Sequence, residues 1–369
     1  MHNFAADLQA AQADLVLQRE LLAVFRTPAT LAPGDPGVPN PGLVTEIASV
    51  LLDEWHARYT IKKPLRFVVS DSKNVKNALA CWTPTNDWVV VSLGLLWLLS
   101  ENADRLSRDL LFVLSGPLNL QMTQRLRGDV SRSLAYTESL YAGAVAFFIG
   151  HEIAHLYDGH EGFRGHSLVP GKVVDPNLTH EYQALELGAD YGGTRAAGRV
   201  AMKKFIDILE APLVQGIEDQ LLKRELLLIV SLGPLLAFTL FQPEALKQVL
   251  IDAGTHPDDR YRALWMVSNL MMFFDELKDQ QDPDAAIEQI SLALTIVLIQ
   301  NAAANDALVQ LFELAPRDGD MAVLRTSGIR RLLFSEEVTN HHRLLYATYG
   351  PLKDQLQRFA RGPDAMPMQ

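Results

Sequence analysis

Two histidines four residues apart, with a glutamate directly after the first, stand at His151-Glu152-Ile153-Ala154-His155. On a helix, positions i and i+4 lie one turn apart on the same face. Both imidazoles can then reach one ion at the ~2.0–2.1 Å of a zinc–nitrogen bond. Glu152, one residue on, falls beside the position such an ion leaves open, where a carboxylate can take a proton from water. An apolar helical run from Tyr141 to Ile149 leads into the pentapeptide and gives it a helical setting. A glutamate between two histidines is costly on a buried helix unless it has a task.

A catalytic zinc needs a third protein ligand and one position kept for water. The expected third ligand is Glu186, in Glu186-Leu187-Gly188-Ala189-Asp190. Glu186 and Asp190 are again an i, i+4 pair, and two carboxylates on one face repel unless a dication and its histidines neutralise them. Asp190 is expected to accept the free ring N–H of a ligand histidine and so fix its tautomer. Gly188 and Ala189 would let this helix approach the first closely. His180 and Glu181 are the rival ligands. His160 lies about 140° round a regular helix from His155, too far to share its ion. It reads as a cationic helix cap, or as a ligand in a latent state.

These residues need helices to carry them and a scaffold to hold the helices. Met1 to Phe25 reads as one amphipathic helix, followed by a Pro/Gly-rich stretch, Thr27–Gly42, unsuited to helix or paired strand. A second helix is expected over Leu43–Tyr59. Leu65–Ser70, Ala78–Thr83 and Trp88–Ser92 are apolar or β-branched runs separated by turn residues, which predicts a small, mainly antiparallel sheet. Beyond Ser92 the pattern is helical: Leu93–Leu99, Ser131–Gly159, His180–Glu210, then apolar residues at three- and four-residue spacing nearly to Arg361. The expected fold class is α+β, mostly α. Three regions are expected: an N-terminal helix and linker over 1–42, a metal-site domain over 43–265, and a helical region over 266–369.

Composition narrows the function. With 369 residues, 48% of them apolar and 21% charged, the chain has the profile of a globular protein. A net charge of −11 without any Lys/Arg cluster excludes a nucleic-acid surface. The single cysteine, Cys81, permits no intramolecular disulfide and fits a reducing compartment, and the N-terminal stretch lacks signal-peptide character, so a cytoplasmic location is expected. Leu226–Pro243 is the longest charge-free stretch, but Gly233 and Pro234 interrupt it; a buried helix is favoured over a membrane span, with membrane association as the alternative. Cys81 reads as a small buried hydrophobe, with an inhibitory thiolate as the rival. His341-His342 reads as surface. Tyr157, Tyr182, Tyr191 and Tyr261 lie near enough to the motifs to serve an oxyanion. Gly192-Gly193 follows no strand and is not a phosphate loop.

The ordered set His151-Glu152-x-x-His155, His160, Glu186-x-x-Ala189-Asp190 resembles the HtpX and CAAX-prenyl-endopeptidase group of gluzincin peptidases. Asn77-Ala78 with Val89-Val90-Val91-Ser92-Leu93-Gly94-Leu95-Leu96 is similar to that group's sheet segment, and Thr255-His256-Pro257 with Arg262 to its later His-Pro and Arg motif. Gly159-His160 after the histidine pair is also similar to the Lit-type phage-exclusion peptidases. The resemblance spans about Pro64 to Arg262. It implies a zincin-like core, Zn2+ as cofactor, and endopeptidase action on a protein or peptide substrate. It implies that substrate adds as a strand along Asn77, Ala78, Leu79 and Ala80. It also places His256 and Arg262 near the metal, to stabilise an oxyanion or hold Glu186, against a plainer reading as a helix cap and a surface ion pair. Two alternatives remain: a metal-binding interaction protein with a structural or silenced site, and a peptidase held latent by the Leu156–Thr179 loop with its His160 and His166.

Overall fold

A computed structural model describes residues 2–58, 63–114, 130–160, 179–209, 233 and 336–356. Among these the protein is α+β and mostly helical, with seven helices and one four-stranded mixed sheet.

The N-terminal segment is two helices, α1 (Phe4–Ala13) and α2 (Leu15–Phe25), where one was expected. Asp14 makes the break. Its backbone leaves the helical region, and its carboxylate accepts from the Val16 and Leu17 N–H groups, so it caps α2. The Pro/Gly-rich stretch also differs from expectation, because Thr30–Leu31 forms a short strand, β1. These two residues lie between Pro28 and Pro33 and keep their own N–H groups, enough for a two-residue edge pairing. The next helix, α3 (Pro41–Arg58), begins inside the same stretch. Proline suits a first helical position, where its missing N–H would have had no partner.

Strands β2 (Leu65–Ser70), β3 (Ala78–Trp82) and β4 (Asp87–Ser92) complete the sheet, in the order β1-β2-β4-β3. β1 runs antiparallel to β2, and β3 antiparallel to β4. The central pair, β2 and β4, is parallel, in register from Leu65↔Asp87 to Ser70↔Ser92. The expectation of a mainly antiparallel sheet therefore fails at its centre. The reason is burial on both faces, which the near-continuous apolar runs LRFVVS and DWVVVS permit. On one face Phe67, Val69, Ala80, Trp82, Val89 and Val91 join a core with α3 and the later helices. On the other, Val68, Leu79, Cys81, Trp88 and Val90 pack against Leu17, Leu21 and Phe25 of α2.

Four further helices follow: α4 (Leu93–Leu114), α5 (Val130–Tyr157), α6 (Thr179–Leu209) and α7 (Glu336–Leu356). Ser92 starts α4 by accepting the Leu95 N–H at 3.2 Å. α5 packs on β3 and β4 and makes its most extensive contact with α6. α7 lies on the far side of α6, where Leu345, Tyr349, Leu352 and Leu356 bury Leu185 and Leu187. No helix among the described residues is long and apolar enough to cross a membrane. The Leu226–Pro243 stretch lies outside the described residues, apart from Gly233, which is buried against Gly143 of α5. Thr255, His256, Pro257, Tyr261 and Arg262, as well as His166 and residues 266–335, also lie outside them.

Candidate metal centre

The α5–α6 contact is built from residues with little or no side chain. A Cβ on Gly150 would stand 2.5 Å from the Ala196 Cβ, and one on Gly192 would stand 2.7 Å from the Ala154 Cβ. One on Gly193 would stand 2.8 Å from the Phe147 carbonyl oxygen. The two backbones are therefore closer than larger residues permit. Gly188 does not serve this contact, contrary to expectation: its open side meets the Tyr349 ring of α7. Gly192, Gly193 and Ala196 thus meet α5, while Gly188 meets α7.

This approach brings three side chains together. His151 Nε2 and His155 Nε2 lie 3.1 Å apart. Glu186 Oε2 lies 3.4 Å from the first and 3.6 Å from the second. Two ligands at ~2.0–2.1 Å from a tetrahedral ion stand about 3.3–3.4 Å apart, so the triangle has the size a divalent ion needs. All three residues are buried. Two imidazoles and a carboxylate are a donor set suited to zinc and its borderline neighbours. The residues present fit the ion. His180 and Glu181 do not join this group among the described residues.

The other ring nitrogens are also engaged. His151 Nδ1 lies 2.9 Å from Asp190 Oδ1, and Asp190 is completely buried. His155 Nδ1 lies 2.6 Å from His160 Nδ1. In the tautomers that hold a proton on both of these Nδ1 atoms, both Nε2 lone pairs point at the same small volume. Asp190 lies where it was expected, beside His151 Nδ1, as an ion-pair partner; that nitrogen makes no hydrogen bond among the described residues. His160, expected about 140° round a regular helix from His155, is instead in direct contact with it. Gly159, at φ 85, ends the helix in a left-handed step that folds His160 back, fully buried, against His155.

Charge follows the same plan. Burial alone would hold His151 below its usual value, but Asp190 and Glu186, with Glu152 adding to the field, raise it to about 10. The two carboxylates thus favour the cationic form of this imidazole. Glu152 is buried next to it in sequence and contributes to its field.

Other residues singled out in the sequence have their own surroundings. Cys81 is wholly buried on the α2 side of the sheet, opposite α5, and burial pushes its thiol up to about 12. It packs as an apolar side chain, and the thiolate-ligand alternative falls away. His341 is not surface: it is buried, 3.1 Å from Gln183 Oε1 through Nε2, with its ring near His180. The Tyr157 ring stacks on Trp55, and the Tyr191 hydroxyl accepts from Arg195. Asn77 is half-buried and accepts the Ala78 N–H, while Ala78, Leu79 and Ala80 are buried in β3, the edge strand. No protein-family model, curated protein or solved structure matches the chain.

Proposed function

We propose that this protein is a zinc-dependent endopeptidase with His151, His155 and Glu186 as the metal ligands and Glu152 as general base. The observation that carries the proposal is the buried triangle of His151 Nε2, His155 Nε2 and Glu186 Oε2, with distances of 3.1, 3.4 and 3.6 Å. A three-ligand set leaves a coordination position for water, as catalytic sites do. When bound, zinc supplies Lewis acidity toward that water and toward a carbonyl oxygen.

The protein's own residues do the rest. Asp190 and His160 hold the two imidazoles with Nε2 facing inward. Glu152 takes a proton as water adds to the scissile carbonyl, and returns it to the nitrogen as the C–N bond breaks. The sheet packed on α5 ends in β3, whose outer edge is the place where an extended peptide would add along Asn77–Ala80. That strand is buried along Ala78–Trp82, so it has to be uncovered before a peptide can pair with it. A latent state is consistent with this. The resemblance to the HtpX and CAAX-endopeptidase group points the same way on reaction type.

Burial of the site and of β3 also favours a second reading, in which the metal is structural or silenced and the chain serves as a binding protein. The deciding experiment measures metal content and cleavage of a peptide library for wild type, Glu152→Gln and Glu186→Ala. The peptidase reading expects metal in the first two, cleavage in wild type alone, and metal lost from Glu186→Ala. Full cleavage by Glu152→Gln would end the mechanism. Metal held by four protein ligands without cleavage by any form selects the second reading.

A further inference from the structure

We infer that His2, Asp53 and His56 form a second divalent-metal site, at the N-terminal face and separate from the α5–α6 centre. Each offers one ligand atom, and these atoms all lie within 4.8 Å of one another. Asp53 and His56 are an i, i+3 pair on α3, so they share a face. His2 comes from the segment before α1 and lies over that face, with its ring stacked on His56 at a centroid distance of 6.0 Å. Its backbone N–H points to Ser49 Oγ one turn earlier on the same helix, at 3.4 Å.

The second observation is Asp7. This carboxylate is almost wholly buried, and its Oδ2 lies 2.6 Å from His2 Nε2. Its remaining capacity is used by the Phe67 N–H at 3.1 Å and the Arg66 guanidinium at 2.9 Å. A fixed, buried carboxylate on one imidazole nitrogen is the arrangement that orients a ligand histidine and leaves its other nitrogen, here Nδ1, with a free lone pair. His56 makes no hydrogen bond among the described residues, and Asp53 accepts only a long one, from Ser49 Oγ at 3.5 Å. Ligand atoms on a tetrahedral ion stand about 3.3 Å apart, so closure needs a shift of about an ångström. Asp53 is exposed and can supply it by rotation.

Two imidazoles and one carboxylate select a borderline divalent cation such as Zn2+, Ni2+ or Cu2+ over Mg2+ or Ca2+. The ion would tie the first residues of the chain to α3. The site is open to water, so it binds more weakly than the buried centre.

The test uses the full chain with no added N-terminal residues, stripped with a chelator and titrated with Zn2+ by calorimetry. His56→Ala and His2→Ala are each expected to lose one equivalent relative to wild type, or to bind it at least about tenfold more weakly. Glu186→Ala keeps that equivalent, so failure of the α5–α6 centre is read separately. Zn2+ is also expected to slow hydrogen exchange over residues 2–13 in wild type and not in His56→Ala. Equal zinc counts and affinities in wild type and both histidine variants overturn the inference, as does unchanged exchange over 2–13.

Discussion

His155 and His160 meet through their Nδ1 atoms at 2.6 Å, although a regular helix would set them on different faces. Gly159 makes the contact possible by its positive φ, and the contact decides which nitrogen of His155 is left for a metal. In the proposed centre the His155–His160 pair and the His151–Asp190 pair would orient the two histidines in the same way.

His160→Ala is therefore expected to weaken metal binding by about 10–100-fold, as loss of a group that orients a ligand does. Circular dichroism should remain that of wild type. Competition against a chelating dye measures the effect. An affinity equal to wild type would show that the contact with His155 has no bearing on ligation.

Asp190→Asn removes the charge and keeps the shape. Zinc added to the chelated wild-type protein should raise its Tm, since a ligand at a hundred times its Kd stabilises by about 2.7 kcal/mol. The variant should show a smaller rise at the same zinc concentration, because the carboxylate no longer holds His151 in its ligating orientation. A full-sized shift in the variant would argue that Asp190 is only a charge partner of the metal-free imidazole.

The helix contact gives a different kind of prediction. Gly150→Ala puts a methyl group 2.5 Å from the Ala196 Cβ. Overpacking costs about 1–3 kcal/mol, offset in part by the roughly 0.8–1 kcal/mol that alanine gains over glycine in a helix. The helices can also separate to relieve it, which moves Glu186 away from the histidines and lowers metal affinity. Ala196→Gly in the same chain removes the clash, so the double variant should recover affinity. A double variant as weak as Gly150→Ala would refute this account of the spacing.

Much of the candidate centre was legible in the sequence because its residues fall in i, i+4 pairs, and helical spacing alone puts such pairs on one face. His151, His155, Glu186 and Asp190 were found in this way. His160 escapes helical spacing because the helix stops at Gly159, and a glycine directly before a histidine is the signal for that stop. The close approach to α5 is made by Gly192 and Gly193, not by Gly188. Which face of α6 meets α5 depends on the rotation of a whole helix, although small residues at 189, 192, 193, 196 and 197 already repeat at three- and four-residue spacing. At the parallel centre of the sheet the apolar runs signalled burial on both faces but not strand direction. An apolar run buried on both faces reads alike in either direction, and strand order is set by what packs above and below.

Asp14 carries the last prediction, on stability and pH. Its Oδ1 accepts the Val16 and Leu17 N–H groups, and its Oδ2 accepts the Thr83 hydroxyl at 2.7 Å and the Trp88 indole N–H at 3.1 Å. One carboxylate thus caps α2 and ties it to the β3–β4 turn. Partial burial pushes its pKa up, but the hydrogen bonds from Thr83, Leu17, Trp88 and Asn86 together outweigh that and hold it below the usual carboxylate value. A folded pKa below the unfolded one means that the stabilisation is present above the unfolded value of about 3.9. It is lost as pH falls through the folded value. Asp14→Ala should therefore cost about 1–2 kcal/mol at neutral pH, the scale of a lost helix cap, and lose part of the wild type's acid sensitivity below about pH 4. Metal affinity at the α5–α6 centre should stay unchanged, since Asp14 lies on the opposite face of the sheet. Urea denaturation at neutral and at acid pH measures both effects, and an equal loss at the two pH values would mean that the cap works without its charge.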